Sequence, residues 1–141
     1  MATLAVATPR TFQLGDLEDY PAVAGDIIYQ GAAVGENGVG YSRPLVAGDV
    51  FQGFALETCD NAGGSAGDKR VHTRKRGNAV LPITGIALTA NDRAAVYASD
   101  DNTFTLTATG NSLIGYVSRW DGPGTAVVEF DAALVRAALQ A

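Results

Sequence analysis

The chain has 141 residues, 47% hydrophobic and 18% charged, which is enough apolar surface for one core-bearing domain and too little charge for a disordered segment. Ten basic residues stand against fifteen acidic ones, a net charge of −5 that repels phosphate and disfavours general nucleic-acid binding. A single cysteine, Cys59, and a single histidine, His72, leave no internal disulfide, cysteine zinc site or histidine metal cluster, and no apolar run reaches the roughly 18 residues of a membrane helix.

In chain order, residues 1–6 lack the basic start and the apolar length of a signal peptide, so expression in a reducing compartment without secretion is expected. One helical turn is a weak expectation near residues 14–20. Asp26–Gln30 reads as a strand. Ala32–Val34 and Val39–Tyr41 flank Glu36-Asn37-Gly38, and Asn-Gly predicts a tight hairpin because both residues tolerate positive φ. Val50–Glu57 reads as a strand covered on both faces. Thr58–Asp68 is small and polar, which predicts a long flexible loop. Lys69, Arg70, Arg74, Lys75 and Arg76 follow, half of the basic residues in one short run that reads as a hairpin tip.

Val80–Leu88 is a further strand, with Pro82 pushing its first part to an edge. Ala94–Ala98 is a short one. Thr103–Thr109 alternates strictly, which points Phe104, Leu106 and Ala108 at the core. Gly110-Asn111 turns the chain into Leu113–Val117. Residues 120–124 form a second turn, before a last strand over Thr125–Phe130. Asp131 can cap a short helix through Gln140, with Leu134, Val135 and Leu139 on one face. About eight short strands with frequent turns, and 17 glycines without a period, predict an all-β single domain: a jelly-roll-like β-sandwich or a small β-barrel with a short C-terminal helix. The expected organisation is an N-terminal arm over 1–20, a β domain over 21–130 with a flexible basic loop at 58–76, and a helix or tail over 131–141.

Catalytic chemistry finds little support in the residues. Cys59 and His72 form one conceivable nucleophile–base pair, but Cys59 follows an apolar strand and reads as packing. Gly63-Gly64-Ser65-Ala66-Gly67 carries the letters of a nucleophile elbow without the strand before it or the helix after it. Asp16, Glu18 and Asp19, and Asp100-Asp101-Asn102, are acidic groups that lack the calcium-loop pattern and read as turns or solvated patches. Tyr29, Tyr41, Tyr97, Tyr116 and Trp120 mostly sit at strand positions where packing explains them. No enzyme, cofactor or metal is therefore expected.

Three stretches resemble the capsid cement, or decoration, proteins of tailed phages. Ala47-Gly48-Asp49-Val50-Phe51-Gln52-Gly53-Phe54-Ala55-Leu56-Glu57 is similar to that family's Gly-Asp, short gap, Gly-x-Ala strand. Ala90–Tyr97 is similar to its Gly-Asp-x-Val-Tyr start, with Asn91 in place of the usual Gly and two extra residues before Val96-Tyr97. Thr105–Val117 is similar to its Thr-rich strand, Gly-Asn turn and Ile-Gly-x-Val run.

The resemblance implies a β-sandwich or barrel with no catalytic residues, forming a homo-oligomer (dimer or trimer) on the outer capsid surface of a virion. The implied partner is the major capsid protein, and the implied work is stabilising the shell. A head-fibre base or a sugar- or receptor-binding module of the virion is the alternative. The expected contacts are an arm carrying Thr3, Leu4, Val6, Arg10 and Phe12, and a docking patch of Arg70, Arg74, Lys75 and Arg76. Neither nucleic acid nor membrane is expected as a partner.

Overall fold

A computed structural model of the chain describes residues 3–11, 13 and 15–140. Among the described residues twelve strands run in this order: β1 (Leu17–Pro21), β2 (Ile27–Ile28), β3 (Ala33–Glu36), β4 (Ser42–Pro44), β5 (Val50–Ala55), β6 (Cys59–Asp60), β7 (Arg70–Arg74), β8 (Arg76–Pro82), β9 (Ala95–Ala98), β10 (Phe104–Thr105), β11 (Ser112–Trp120) and β12 (Thr125–Asp131). Among the described residues these are joined by one 3-10 turn (Leu88–Asp92) and one α-helix, α1 (Ala132–Gln140). The first sheet has the order β1-β7-β5-β3-β4, the second β10-β9-β11-β12-β8, and β2 pairs with β6 alone. All of these ladders are antiparallel. The predicted all-β single domain is the observed architecture, with a sandwich-like layering.

Period-two alternation builds two cores from one sheet. Ala33 and Phe54 on the first sheet face the second sheet, in the main core with Val96, Ile114, Val117 and Val128. Their neighbours Val34 and Ala55 face the opposite way, in a smaller core with Ile28, Cys59 and Val71. The strand expected over Val50–Glu57 is covered on both faces only as far as Ala55, where β5 ends; Leu56 and Glu57 are exposed. Four phenylalanines fill the gap between the large sheets. Phe54 meets Phe130 edge-on at 4.8 Å, Phe51 at 5.5 Å and Phe104 at 6.0 Å. Edge-on aromatic pairs add about 0.5–1.5 kcal/mol each beyond area burial.

Several expectations are corrected. The Asn-Gly hairpin forms, but its loop is five residues long. The Glu36 carboxylate accepts N–H bonds from Gly38 and Gly40, and Asn37 Oδ1 accepts from Val39 and Tyr41, so two side chains hold a wider turn open. The Thr103–Thr109 alternation yields only a two-residue strand. Thr105 Oγ1 captures the Thr107 N–H and Asn111 Nδ2 captures the Thr107 carbonyl, which draws the chain off the sheet. Phe104 is buried as expected, whereas Leu106 and Ala108 are exposed.

Residues 17–21 are a strand and not a helical turn. The strand expected at residues 80–88 begins earlier, at Arg76, and ends at Pro82, on the edge of its sheet as Pro82 predicts. Asp131 caps α1, its Oδ1 accepting the N–H groups of Ala133 and Leu134. On the helix only Val135 is buried. Leu134 and Leu139 are exposed, because α1 lies at the sandwich end with one narrow stripe on the core.

Candidate interaction surface

Of the arm expected over residues 1–20, residues 17–20 belong to strand β1 and lie in the first sheet. Residues 3–11 form no strand or helix and are exposed throughout. Leu4 and Val6 stand 69% and 75% open, and Arg10 is exposed. Phe12, the remaining arm contact expected from sequence, lies outside the described residues.

The basic run is not a hairpin tip. It is strand β7 followed directly by β8, and its alternation is strict: Val71 and Thr73 are buried while Arg70, His72 and Arg74 face outward. Thr73 is satisfied by donating its hydroxyl to the Glu18 carbonyl at 3.1 Å. The β1–β7 register sets Asp19 directly across from His72, while Glu18 faces Thr73 and Arg74 faces Leu17, so the other charges meet diagonally at the end of the pair. Arg74 reaches Asp16 at 3.3 Å, Lys75 reaches Glu18 at 3.7 Å, and His72 Nδ1 meets Asp19 at 2.8 Å. Arg70 donates to the Asp19 carbonyl at 2.9 Å. The Arg76 guanidinium lies over Gly15, where a Cβ would come within 3.1 Å of it. Two charge clusters more than fifty residues apart are thus one cross-strand ladder. Exposed pairs of this kind add at most about 1 kcal/mol each to stability. Their larger effect is to neutralise Arg74 and Lys75 locally.

The groups singled out for catalysis are not brought together in that role. Cys59 is buried in the smaller core, and burial pushes its thiol up from the ordinary range. The two imidazole nitrogens of His72 face Asp19 and Glu57. Ser65 lies in a polar turn organised by Asn61, whose Nδ2 donates to the carbonyls of Val23 and Ser65. Asp68 accepts the Ser65 N–H at 2.9 Å. Among the described residues no group of three His, Cys, Asp or Glu side chains is placed to hold a metal, and no helix is long and apolar enough to cross a membrane.

The three stretches that carry the family resemblance are mechanically tied together. The Ser112 hydroxyl, after the Gly110-Asn111 turn, donates to the Asp49 carbonyl at 2.7 Å and accepts the Gly48 N–H at 3.1 Å. The second and third stretches pair as β9 and β11, with Tyr97 opposite Leu113 and Val96 opposite Gly115, and Asn91 Oδ1 accepts the N–H of Trp120, just past the third stretch, at 2.6 Å. Gly53 and Gly115 stand where backbone crosses backbone: a Cβ on Gly53 would lie 2.3 Å from the Arg74 carbonyl, and one on Gly115 would lie 2.2 Å from that of Glu129. These contacts hold the sandwich together.

One surface feature escapes sequence reasoning. Tyr29 is not packed within a strand. It follows β2, stands 61% exposed, and borders an open pocket with Gln30, Asp101 and Asn102. An unpaired aromatic beside a Gly turn was the available signal, but the partners come from seventy residues away. Compared with family models, curated proteins and solved structures, the chain finds no match.

Proposed function

We propose that this protein is a capsid cement protein, a homo-oligomer that binds the outside of a tailed-phage head and ties neighbouring major capsid subunits together. The observation that carries this reading is the exposed arm, residues 3–11, with Leu4 and Val6 uncovered on a body whose two sheets are otherwise well packed. Apolar side chains presented in series on an extended segment are suited to burial against a partner. The interlocked residues of the three family-like stretches support the same reading at the level of the fold.

A cement protein acts by mass action, binding the assembled lattice and not its separated subunits. At a free concentration of about 100 times Kd, each occupied site adds roughly 2.7 kcal/mol to the lattice. The test is addition of purified protein to expanded, undecorated shells of the phage that encodes it. Saturation at a fixed ratio to capsid subunits and a raised disassembly temperature are expected. Removal of residues 1–11 should weaken binding while leaving the β-sheet spectrum of the body unchanged. Wild-type protein that fails to bind these shells at low salt would overturn the reading.

A further inference from the structure

The pocket beside Tyr29 is built from two distant segments. On one side the turn after β2 is fixed by its own backbone: the Gly31 N–H donates to the Ala55 carbonyl at 2.8 Å, the Ala32 N–H to the Tyr29 carbonyl at 3.0 Å, and the Gln30 N–H to Thr58 Oγ1 at 3.1 Å. On the other side is the tip between β9 and β10. The Ala33 N–H donates to the Asp101 carbonyl at 2.9 Å and staples the two together. Asp100 locks the tip by accepting the Asn102 N–H at 2.8 Å and the Thr103 hydroxyl at 3.0 Å. The result is a preformed hollow of about 460 Å³.

Its lining is chemically unfinished. Among the described residues, the Tyr29 hydroxyl and the side-chain amides of Gln30 and Asn102 make no hydrogen bond, and no cation pairs with Asp101. The charge around it is of one sign. Burial raises the Asp101 carboxyl, and Asp100 and Asp26 raise it further, so this carboxylate lacks a compensating positive charge. Elsewhere the arginines and lysines with ion-pair partners have them within the fold: Arg43 with Asp49, Arg74 with Asp16, Lys75 with Glu18, Arg93 with Glu129 and Arg119 with Asp121. Within the basic run Arg74 and Lys75 are engaged in this way, and at this corner Asp101, with Asp100 and Asp26 acting on it, makes the local charge negative.

We propose that this pocket receives a basic side chain, arginine in preference to lysine, from the surface on which the protein docks. A guanidinium can stack on the open Tyr29 ring while its fork reaches the Asp101 carboxylate and its outer N–H groups meet the amide oxygens of Gln30 and Asn102. An ammonium can do only part of this. The inference rests on the docking reading above for its partner, but not for its chemistry. It reverses the polarity expected from sequence: the partner contributes the cation.

The probe is the blocked tripeptide acetyl-Gly-Arg-Gly-amide, with the neutral isostere acetyl-Gly-citrulline-Gly-amide and the sugar chitotriose as comparisons. Each is titrated into the full-length protein and followed by amide NMR shifts. Saturable shifts confined to residues 29–32 and 100–102 are expected with the arginine peptide, weakening with salt and about tenfold weaker for citrulline. Tyr29→Ala and Asp101→Asn should each reduce the response, with an otherwise unchanged spectrum showing that the fold persists. Equal binding of citrulline, binding of chitotriose alone, or no saturable shift at these amides would overturn the proposal. Shell binding separates the two readings. Variants that decorate shells as tightly as wild type refute the pocket's role and leave the cement reading standing. A wild type that never binds shells refutes the cement reading, while the peptide titration still decides the pocket.

Discussion

Replacing Ser112 by Ala removes one hydroxyl that closes two backbone groups at once. The residue is 4% exposed, so water does not readily take its place. The Asp49 carbonyl loses a 2.7 Å donor and the Gly48 N–H loses a 3.1 Å acceptor. Each neutral hydrogen bond is worth about 1 kcal/mol net, which gives a loss of about 2 kcal/mol. For a domain of this size that lowers Tm by about 6 °C. Denaturant unfolding followed by circular dichroism gives the stability, and hydrogen exchange gives the location. The Gly48 amide should exchange at least about tenfold faster in Ser112→Ala, while amides of β7 keep their protection relative to global stability. A stability change under about 0.5 kcal/mol, with Gly48 exchange unaltered, would refute the argument that this hydroxyl clasps the two stretches.

Gly53→Ala and Gly115→Ala should each cost about 3 kcal/mol, because the added methyl meets backbone at 2.3 and 2.2 Å, and Gly53 also has φ +130°. Gly63→Ala, with nothing within 4 Å of its Cβ position, should be close to neutral in the same unfolding experiment. Asp131→Ala removes the cap of α1 and should cost about 1 kcal/mol, read as a drop in the unfolding midpoint. The neighbouring aspartates should respond to pH with opposite signs. Asp100 is held below the ordinary carboxylate range by the Asn102 N–H, so its stabilisation is present at neutral pH and fades as pH falls through the folded value. Asp101 is raised by burial, so ionising it costs stability at neutral pH, and the cost is relieved on acidification. Thermal midpoints at pH 7 should therefore fall for Asp100→Asn and rise for Asp101→Asn, with both differences shrinking toward acid pH.

The sheet architecture is legible because turns and apolar alternation are local. Gly110-Asn111, the second turn after Trp120, Pro82 at an edge and the Asp131 cap all act within a few residues of themselves. What escapes the sequence is pairing at a distance. The basic run reads as a solvated tip until β1 and the residue before it bring Glu18, Asp19 and Asp16 alongside, and Val71 and Thr73 are too few and too flanked by charge to announce a buried strand. Thr103–Thr109 fails for the reverse reason, since its alternation is ideal but local side-chain bonds divert it. Among the expected contacts, the described arm residues Thr3, Leu4, Val6 and Arg10 are exposed, whereas Arg74 and Lys75 already have acidic neighbours. The Tyr29 pocket was not readable, because its two walls come from different sheets' loops.

Lys75 sits where β7 of one sheet passes into β8 of the other. Its N–H donates to the Asp16 carbonyl at 2.9 Å, just before β1, and its carbonyl accepts the Ala132 N–H at 2.8 Å, just after β12. The segments leading into the first strand and out of the last therefore leave the body from a single corner. Tension applied between arm and helix would be carried across that corner, leaving the far loops unloaded. The same proximity makes the fold a natural host for circular permutation, with a short tether joining arm to helix and new ends opened in the polar turn at residues 62–66.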